Sequence, residues 1–237
     1  EVRLLRRGHA DLPQGTRQTG IGVHQCVWSV DTPAALDRLA ADLARDHTLV
    51  TDAEGVVHFV TAFGQAIGLQ VWTPRPVHGA PSPSNTPGHI GRLNQPRKWI
   101  ARAVPKRIHH CVWTFPDVQV ALEFYRDRLG FRLTDVQKGF GVYMRADGAY
   151  EHHTIFLANA NAGMPGFDGT LKFHHANFEC EDIDEIMVGK NHLDRLGYSF
   201  AGSWGLGRHR LTSAAFLYLN VPELGGDMEY GADCDCV

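Results

Sequence analysis

No apolar run in the 237-residue sequence approaches the roughly 20 residues a membrane-spanning helix needs. No charged-then-apolar leader opens the chain at Glu1, and the cysteine pattern leads us to expect a cytoplasmic protein. The missing initiating methionine fits either processing or truncation. Cysteine is scarce: five residues, an odd count at scattered positions, which argues against a disulfide framework and fits a reducing compartment. A single dominant charge is also missing. Lys and Arg number 23 against 26 Asp and Glu, a net charge of −3 with the signs interspersed, so there is no basic stripe of the kind that binds nucleic acid. Hydrophobic residues make up 43%, and the length is enough for one large or two small domains with a real core. The excess lies in histidine, with fourteen, and histidine is the commonest metal ligand among side chains.

Their positions reveal an internal repeat. Residues 24–28 read His-Gln-Cys-Val-Trp, residues 109–113 His-His-Cys-Val-Trp, and residues 174–178 His-His-Ala-Asn-Phe. Each opens a short apolar segment that reads as a strand, and helix-like stretches follow. Ala35, Leu36, Leu39 and Leu43 form one face after Asp31-Thr32-Pro33, where Asp31 or Thr32 can cap and Pro33 suits the first turn. Val120, Leu122, Phe124, Tyr125 and Leu129 form a stripe that ends at Gly130, and Asp182 to Leu196 repeats the plan and stops at Gly197. Strand-like pieces then follow each helix: Val56–Phe63 and Ile67–Trp72 in the first unit; Phe131–Val136, Gly141–Met144 and Thr154–Ala158 in the second; Tyr198–Ala201, Ala215–Asn220 and Asp227–Tyr230 in the third. Strand, helix, then two or three strands, three times over, is an α+β repeat. The Pro-, Gly-, Ser- and Asn-rich stretch from Pro74 to Lys106 has no periodicity and reads as a linker or long surface connection. The expected organisation is a degenerate N-terminal module without metal (1–75), a linker (76–106) and a C-terminal pair of modules (107–237).

The second histidine of each opening pair is His110 in unit two and His175 in unit three, where unit one has Gln25. A metal site needs a third ligand, and the last strand of unit three offers Glu229; the matching place in unit one is near Gln70. Two histidines and a carboxylate on one face of a metal, with the other positions open, is the arrangement of non-haem Fe(II) oxygenases. Taken singly, each histidine could equally cap a strand end or satisfy a local hydrogen bond. The shared register of the repeat favours the three-ligand reading.

The segment Gly207-Arg208-His209, seven residues, Leu217-Tyr218, then Pro222 and Glu229-Tyr230, resembles the C-terminal signature of type I extradiol ring-cleavage dioxygenases, of the vicinal oxygen chelate superfamily. Ile108 to Phe131, with Glu123-Phe124-Tyr125 and Leu129-Gly130-Phe131, resembles the opening of a metal-bearing module of that superfamily. Two departures stand out: Val221 precedes the proline where the family has an acidic or small polar residue, and about one extra residue lies between Pro222 and Glu229, around Leu224-Gly225-Gly226. The resemblance implies repeated βαβββ modules of the glyoxalase-like fold with the metal in the C-terminal pair. It implies Fe(II), with Mn(II) suited to the same ligands, a catechol-type substrate and O₂, and assembly as a homo-oligomer. It also implies roles for His153 in proton handling, for His209 beside the substrate and for Tyr218 as a hydrogen-bond partner of a substrate hydroxyl.

Two other functions remain open from sequence. One is a glyoxalase-like isomerase or lyase using Zn or Ni, which would want a fourth protein ligand or a second carboxylate. The other is a metal-free module that binds a small molecule such as an antibiotic, which has no need of three ligands in register. His152-His153 also reads as a surface pair, Tyr218 as a core tyrosine and His209 as a solvated loop residue. Phe140, Tyr143, Phe167 and Trp204 are candidates for pocket lining with no face assigned, and Cys234 and Cys236 receive no role.

Overall fold

Each of the three histidine-led segments becomes the first strand of a βαβββ unit in the computed structural model of the protein, which describes residues 1–6, 8–13, 16, 21–73, 75–199, 202–222 and 225–237. The first unit comprises β1 (Gln25–Val30), α1 (Pro33–Leu43), β2 (Val50–Thr51), β3 (Val57–Val60) and β4 (Ala66–Val71). The second comprises β5 (Arg107–Phe115), α2 (Val118–Asp127), β6 (Arg132–Gln137), β7 (Gly141–Arg145) and β8 (Ile155–Asn159). The third comprises β9 (Lys172–Glu179), α3 (Ile183–Arg195), β10 (Gly202–Arg208), β11 (Ala215–Val221) and β12 (Gly226–Ala232). No helix among the described residues is long and apolar enough to cross a membrane.

The helices start where short polar side chains can satisfy free backbone N–H groups. The Thr32 hydroxyl accepts from the amide of Ala35, Asp117 from those of Gln119 and Val120, and Asp182 from that of Glu185. Beyond α2, Gly130 has φ 74°, the left-handed conformation a glycine adopts without strain.

In every unit the first strand lies parallel to the last, across which the middle strands run antiparallel. The first unit forms its own sheet in the order β1-β4-β3-β2. The second and third share one eight-stranded sheet, β10-β11-β12-β9-β5-β8-β7-β6, joined where β5 and β9 pair antiparallel.

Three expectations shift. The first unit has a third strand, β2, of only two residues, too short to leave a pattern in the sequence. The strand expected at Tyr198–Ala201 instead begins at Gly202; residues 200 and 201 lie outside the described residues. Glycines disguise β10, and one of them is needed: a Cβ on Gly207 would stand 2.7 Å from the Phe216 ring on β11. The stretch between units one and two docks on the start of α3, where Arg97 pairs with Asp182 and Asp184, and Val104 donates its amide to Glu185.

Alternation along the strands separates two faces of the large sheet. One face sends Trp113, Phe115, Ile155 and Leu157 into a core shared with Tyr125 of α2 and with Leu43, Phe59, Ile67 and Leu69 of the first unit. Leu217, Leu219 and Ala232 pack with Ile186 of α3 in a second core. Trp113 is fully buried, and its indole N–H donates to the Cys26 sulfur of β1 at 3.3 Å, so this side chain ties the first unit to the large sheet. Trp113→Ala is expected to destabilise the protein by about 3–5 kcal/mol, the usual cost of emptying a buried aromatic site. A denaturant titration that shows a change below about 1 kcal/mol would mean that the two sheets repack around the cavity.

Candidate metal centre

The opposite face of the large sheet carries the polar residues. His110 on β5, His175 on β9 and Glu229 on β12 come from three adjacent strands and are all buried. One ligating atom from each lies within 4.8 Å of the other two. Nε2 of His110 and Nε2 of His175 each stand 3.3 Å from Oε2 of Glu229. Despite that closeness Oε2 is buried without a well-formed hydrogen bond. Two imidazole nitrogens and a carboxylate oxygen that crowd together without bonding each other fit a small divalent cation: ligands held at about 2.1 Å in adjacent positions stand roughly 3 Å apart.

The extra residue in the turn before β12 leaves the strand of Glu229 in register. Residues 223 and 224 lie outside the described residues, but the β11–β12 ladder runs unbroken from Ala215 opposite Ala232 to Val221 opposite Gly226, with Glu229 directly opposite Tyr218.

The other residues singled out in the sequence gather around this cluster. His153, just before β8, is buried with its ring centroid 4.2 Å from that of His110. His209, after β10, brings Nε2 within 3.3 Å of both Oε1 of Glu229 and the Tyr218 hydroxyl. Its ring stacks on Phe216 at 4.0 Å, and its amide donates to the Ala214 carbonyl, so it is held rather than a loose loop residue. Tyr218 sits edge-on to His175 and is stacked by Trp204 from β10. On the far side Tyr143 meets His153 edge-on and stacks on Phe156, and Phe140 and Phe167 complete an apolar wall with Val112. Cys234 and Cys236 join no group of ligating residues among those described.

The electrostatics of the cluster follow from burial. Desolvation pushes His110 down to about 4, against the attraction of Glu229. It holds His153 well below the ordinary histidine range, helped by His110, His109 and His152. His174 is likewise lowered to about 4 by burial and by His175. Burial works against ionisation of Glu229, yet His110, His175 and His209 together hold its carboxyl well below the usual range. Burial raises the Tyr143 phenol to about 12 and pushes the Tyr218 phenol above its ordinary value, with the Glu229 charge adding to the latter. At neutral pH His110, His153 and His174 are therefore neutral, Tyr143 and Tyr218 keep their protons, and Glu229 is a carboxylate.

Sequence reasoning missed the outer histidines. His109 and His174 bring Nδ1 within 2.8 and 2.7 Å of Nδ1 of His110 and His175. The doublets His-His at 109–110 and 174–175 were a visible signal, but adjacent residues on a regular strand face opposite ways and gave no reason to pair them.

Two βαβββ units sharing one sheet, with two histidines and a glutamate on its open face, define the class. Residues 107–218 match the family described as Glyoxalase/Bleomycin resistance protein/Dioxygenase superfamily. Among individual proteins, it is 32% identical over 196 residues to metapyrocatechase 2 of Cupriavidus necator, covering 80% of this chain and 58% of that one. It is 30% identical over 128 residues to biphenyl-2,3-diol 1,2-dioxygenase of Paraburkholderia xenovorans, covering 52% of this chain and 39% of that one. The chain thus spans well under two thirds of the length of these relatives. The solved structure of 2,2',3-trihydroxybiphenyl 1,2-dioxygenase from Sphingomonas wittichii shares the fold, with a TM-score of 0.66 at 20% identity over 91% of this chain and 72% of that one.

Proposed function

We propose that this chain performs Fe(II)-dependent extradiol cleavage of a vicinal dihydroxy aromatic, inserting O₂ next to the hydroxyl-bearing carbons. The observation that carries the reading is the unpartnered Oε2 of Glu229 set between two imidazole nitrogens, with His153, His209 and Tyr218 around it. In this reading His110, His175 and Glu229 hold the metal. Residues 1–75 form a module without metal, 76–106 the connection and 107–237 the catalytic pair of modules.

Fe(II), when bound, supplies a Lewis acid that makes a diol easier to deprotonate and open positions where diol and O₂ meet. Glu229 is the one anionic member of the set, so the residues that would hold a divalent ion would leave the loaded site with a net positive charge, suited to an anionic diol. Burial leaves the His153 ring neutral, able to take a proton at one nitrogen and return it later. Tyr218 keeps its proton and offers a hydroxyl donor to an oxygen that gains negative charge. His209, between Glu229 and Tyr218, holds that hydroxyl in place at its Nε2. The aromatic faces of Tyr143, Phe156 and Phe167 on one side and Trp204 on the other suit a flat aromatic ring.

An isomerase on the same scaffold would want a second carboxylate or a fourth ligand, and the one ligating group among the described residues contains Glu229 alone as carboxylate. The relatives named for diol dioxygenation favour the same choice.

Anaerobic loading with Fe(II), followed by O₂ and a panel of catechols, is expected to consume O₂ and produce a yellow ring-cleavage product. His175→Ala is expected to do neither. One iron bound per chain with no O₂ uptake on any catechol would overturn the dioxygenase reading and leave the metal site standing.

A further inference from the structure

The two candidate ligand histidines sit between paired irregularities in the sheet. Along β5 and β9 the register runs Arg107–Glu179 and Ile108–Phe178, then slips by one so that His110 meets Asn177 and Val112 meets His175. It slips back at Trp113–Phe173. The extra residues are His109 on β5 and His174 on β9, so each candidate ligand is preceded by a histidine in a β-bulge. On a regular strand these neighbours would face opposite sides of the sheet. A bulge re-aims a side chain, and here it lays each extra imidazole beside the next one, Nδ1 to Nδ1, at 2.8 Å for His109–His110 and 2.7 Å for His174–His175.

Two facing nitrogens at that distance share one proton: one donates and the other accepts. On His110 and His175 it is Nε2 that faces Glu229. A metal taking Nε2 leaves the proton on Nδ1, and a buried N–H needs an acceptor. The Nδ1 atoms of the bulge histidines stand within hydrogen-bond reach of it.

We propose that His109 and His174 are the positioning residues of the metal centre, each accepting through its own Nδ1 the Nδ1–H of the ligand that follows it and so fixing that ligand's Nε2 toward the cation. The role is commonly filled by a carboxylate, a backbone carbonyl or water. A neutral imidazole does the same steering without adding a second negative charge, which leaves the net positive charge of the loaded site intact for an anionic diol. The two bulges are the backbone's part in the device: without them the orienting rings would face the other side of the sheet. The pair His152–His153 has a longer Nδ1 separation, 3.3 Å, and stands outside the β5–β9 bulges, so it is not included.

The inference rests on the metal reading above, and its test separates the two. Fe(II) affinity is measured anaerobically by competition with a chromophoric chelator for the parent and for His109→Phe, His174→Phe, His109→Asn and His174→Asn. Phenylalanine keeps a ring but no acceptor, and asparagine places an amide oxygen near the position of Nδ1. The Phe variants are expected to bind Fe(II) about 10- to 100-fold more weakly, with the Asn variants recovering most of that loss. In the ¹⁵N-labelled, Zn(II)-loaded parent, a ¹⁵N–¹⁵N coupling across each Nδ1–H···Nδ1 bond is expected, a signal that mere packing would not give and that does not depend on the variants folding. Phe variants that bind like the parent, Asn variants as weak as Phe, or absent couplings would each overturn the pairing while leaving the metal site in place. A parent that binds neither Fe(II) nor Zn(II) would overturn the metal reading and this proposal with it.

Discussion

Replacing Glu229 with glutamine is expected to weaken Fe(II) binding by more than the roughly 100-fold that loss of an outer-shell partner can cost, and to reduce ring cleavage to background. The substitution keeps shape and removes charge at a side chain only 1% exposed, so little else changes in the sheet. Three effects act together. The cation loses its one anionic ligand, and a neutral amide oxygen is a weaker donor. The loaded site then carries two positive charges rather than one, so the ion costs more to bury. The contact of Oε1 with Nε2 of His209 also changes from carboxylate to amide, loosening the Tyr218–His209 pair on the substrate side. In the metal-free protein the change is mildly destabilising, because the three histidines favour the ionised carboxyl over the neutral one. Chelator competition with a circular-dichroism melt of the same sample checks both parts. Iron affinity equal to that of the parent would remove Glu229 from the ligand set, whatever the activity.

Much of this centre was legible because the chain repeats itself. Gln25, His110 and His175 occupy the same place in three copies of one strand, and Gln in place of His in the first copy separated a unit without candidate ligands from two with them. Glu229 could be read because it lies on the last strand of the third unit; that strand runs parallel to β9 and sets Glu229 opposite Asn177, two residues on from His175. What was hidden has physical reasons. Strand β10 holds three glycines, where a Cβ would meet Lys190 at Gly202, the β11 backbone at Gly205 and the Phe216 ring at Gly207, so it had neither alternation nor β-branched residues to announce it. The bulges at His109 and His174 shift the register by one and restore it, and no periodicity test on a single strand detects a slip defined against its partner. The wall of Phe140, Tyr143 and Phe167 was visible as aromatic residues, but its face depended on pairings between strands. The docking of the proline-rich connection depends on Arg97 finding acidic residues 85 and 87 positions away on α3, which composition cannot foretell.

Acid is expected to unfold the metal-free protein well before its carboxylates protonate. Free histidine titrates near 6.5. His110 and His174 are each held near 4, chiefly by burial, and His109, His152 and His153 are also lowered by burial. Between pH 6.5 and 4 the unfolded chain therefore binds more protons than the folded one, and stability falls as pH falls. Above 6.5 both states hold these rings neutral and the contribution is flat. A depression from 6.5 to about 4 is worth about 3 kcal/mol for each of His110 and His174 across the window, against a typical total of roughly 5–15 kcal/mol. Glu229 does not offset this loss. Its carboxyl is lowered as well, so its contribution is present above about 4.5 and declines only on further acidification. Melting temperatures of the metal-free protein at pH 7.5, 6.5, 5.5 and 4.5 should be level between the first two and then drop steeply. Iron-loaded protein should start higher and lose its advantage over the same range, since protons compete with the ion for the same nitrogens. A metal-free protein whose melting point is unchanged from 7.5 to 4.5 would mean that these histidines are solvated, and the dry, neutral site on which the proposed chemistry depends would not exist.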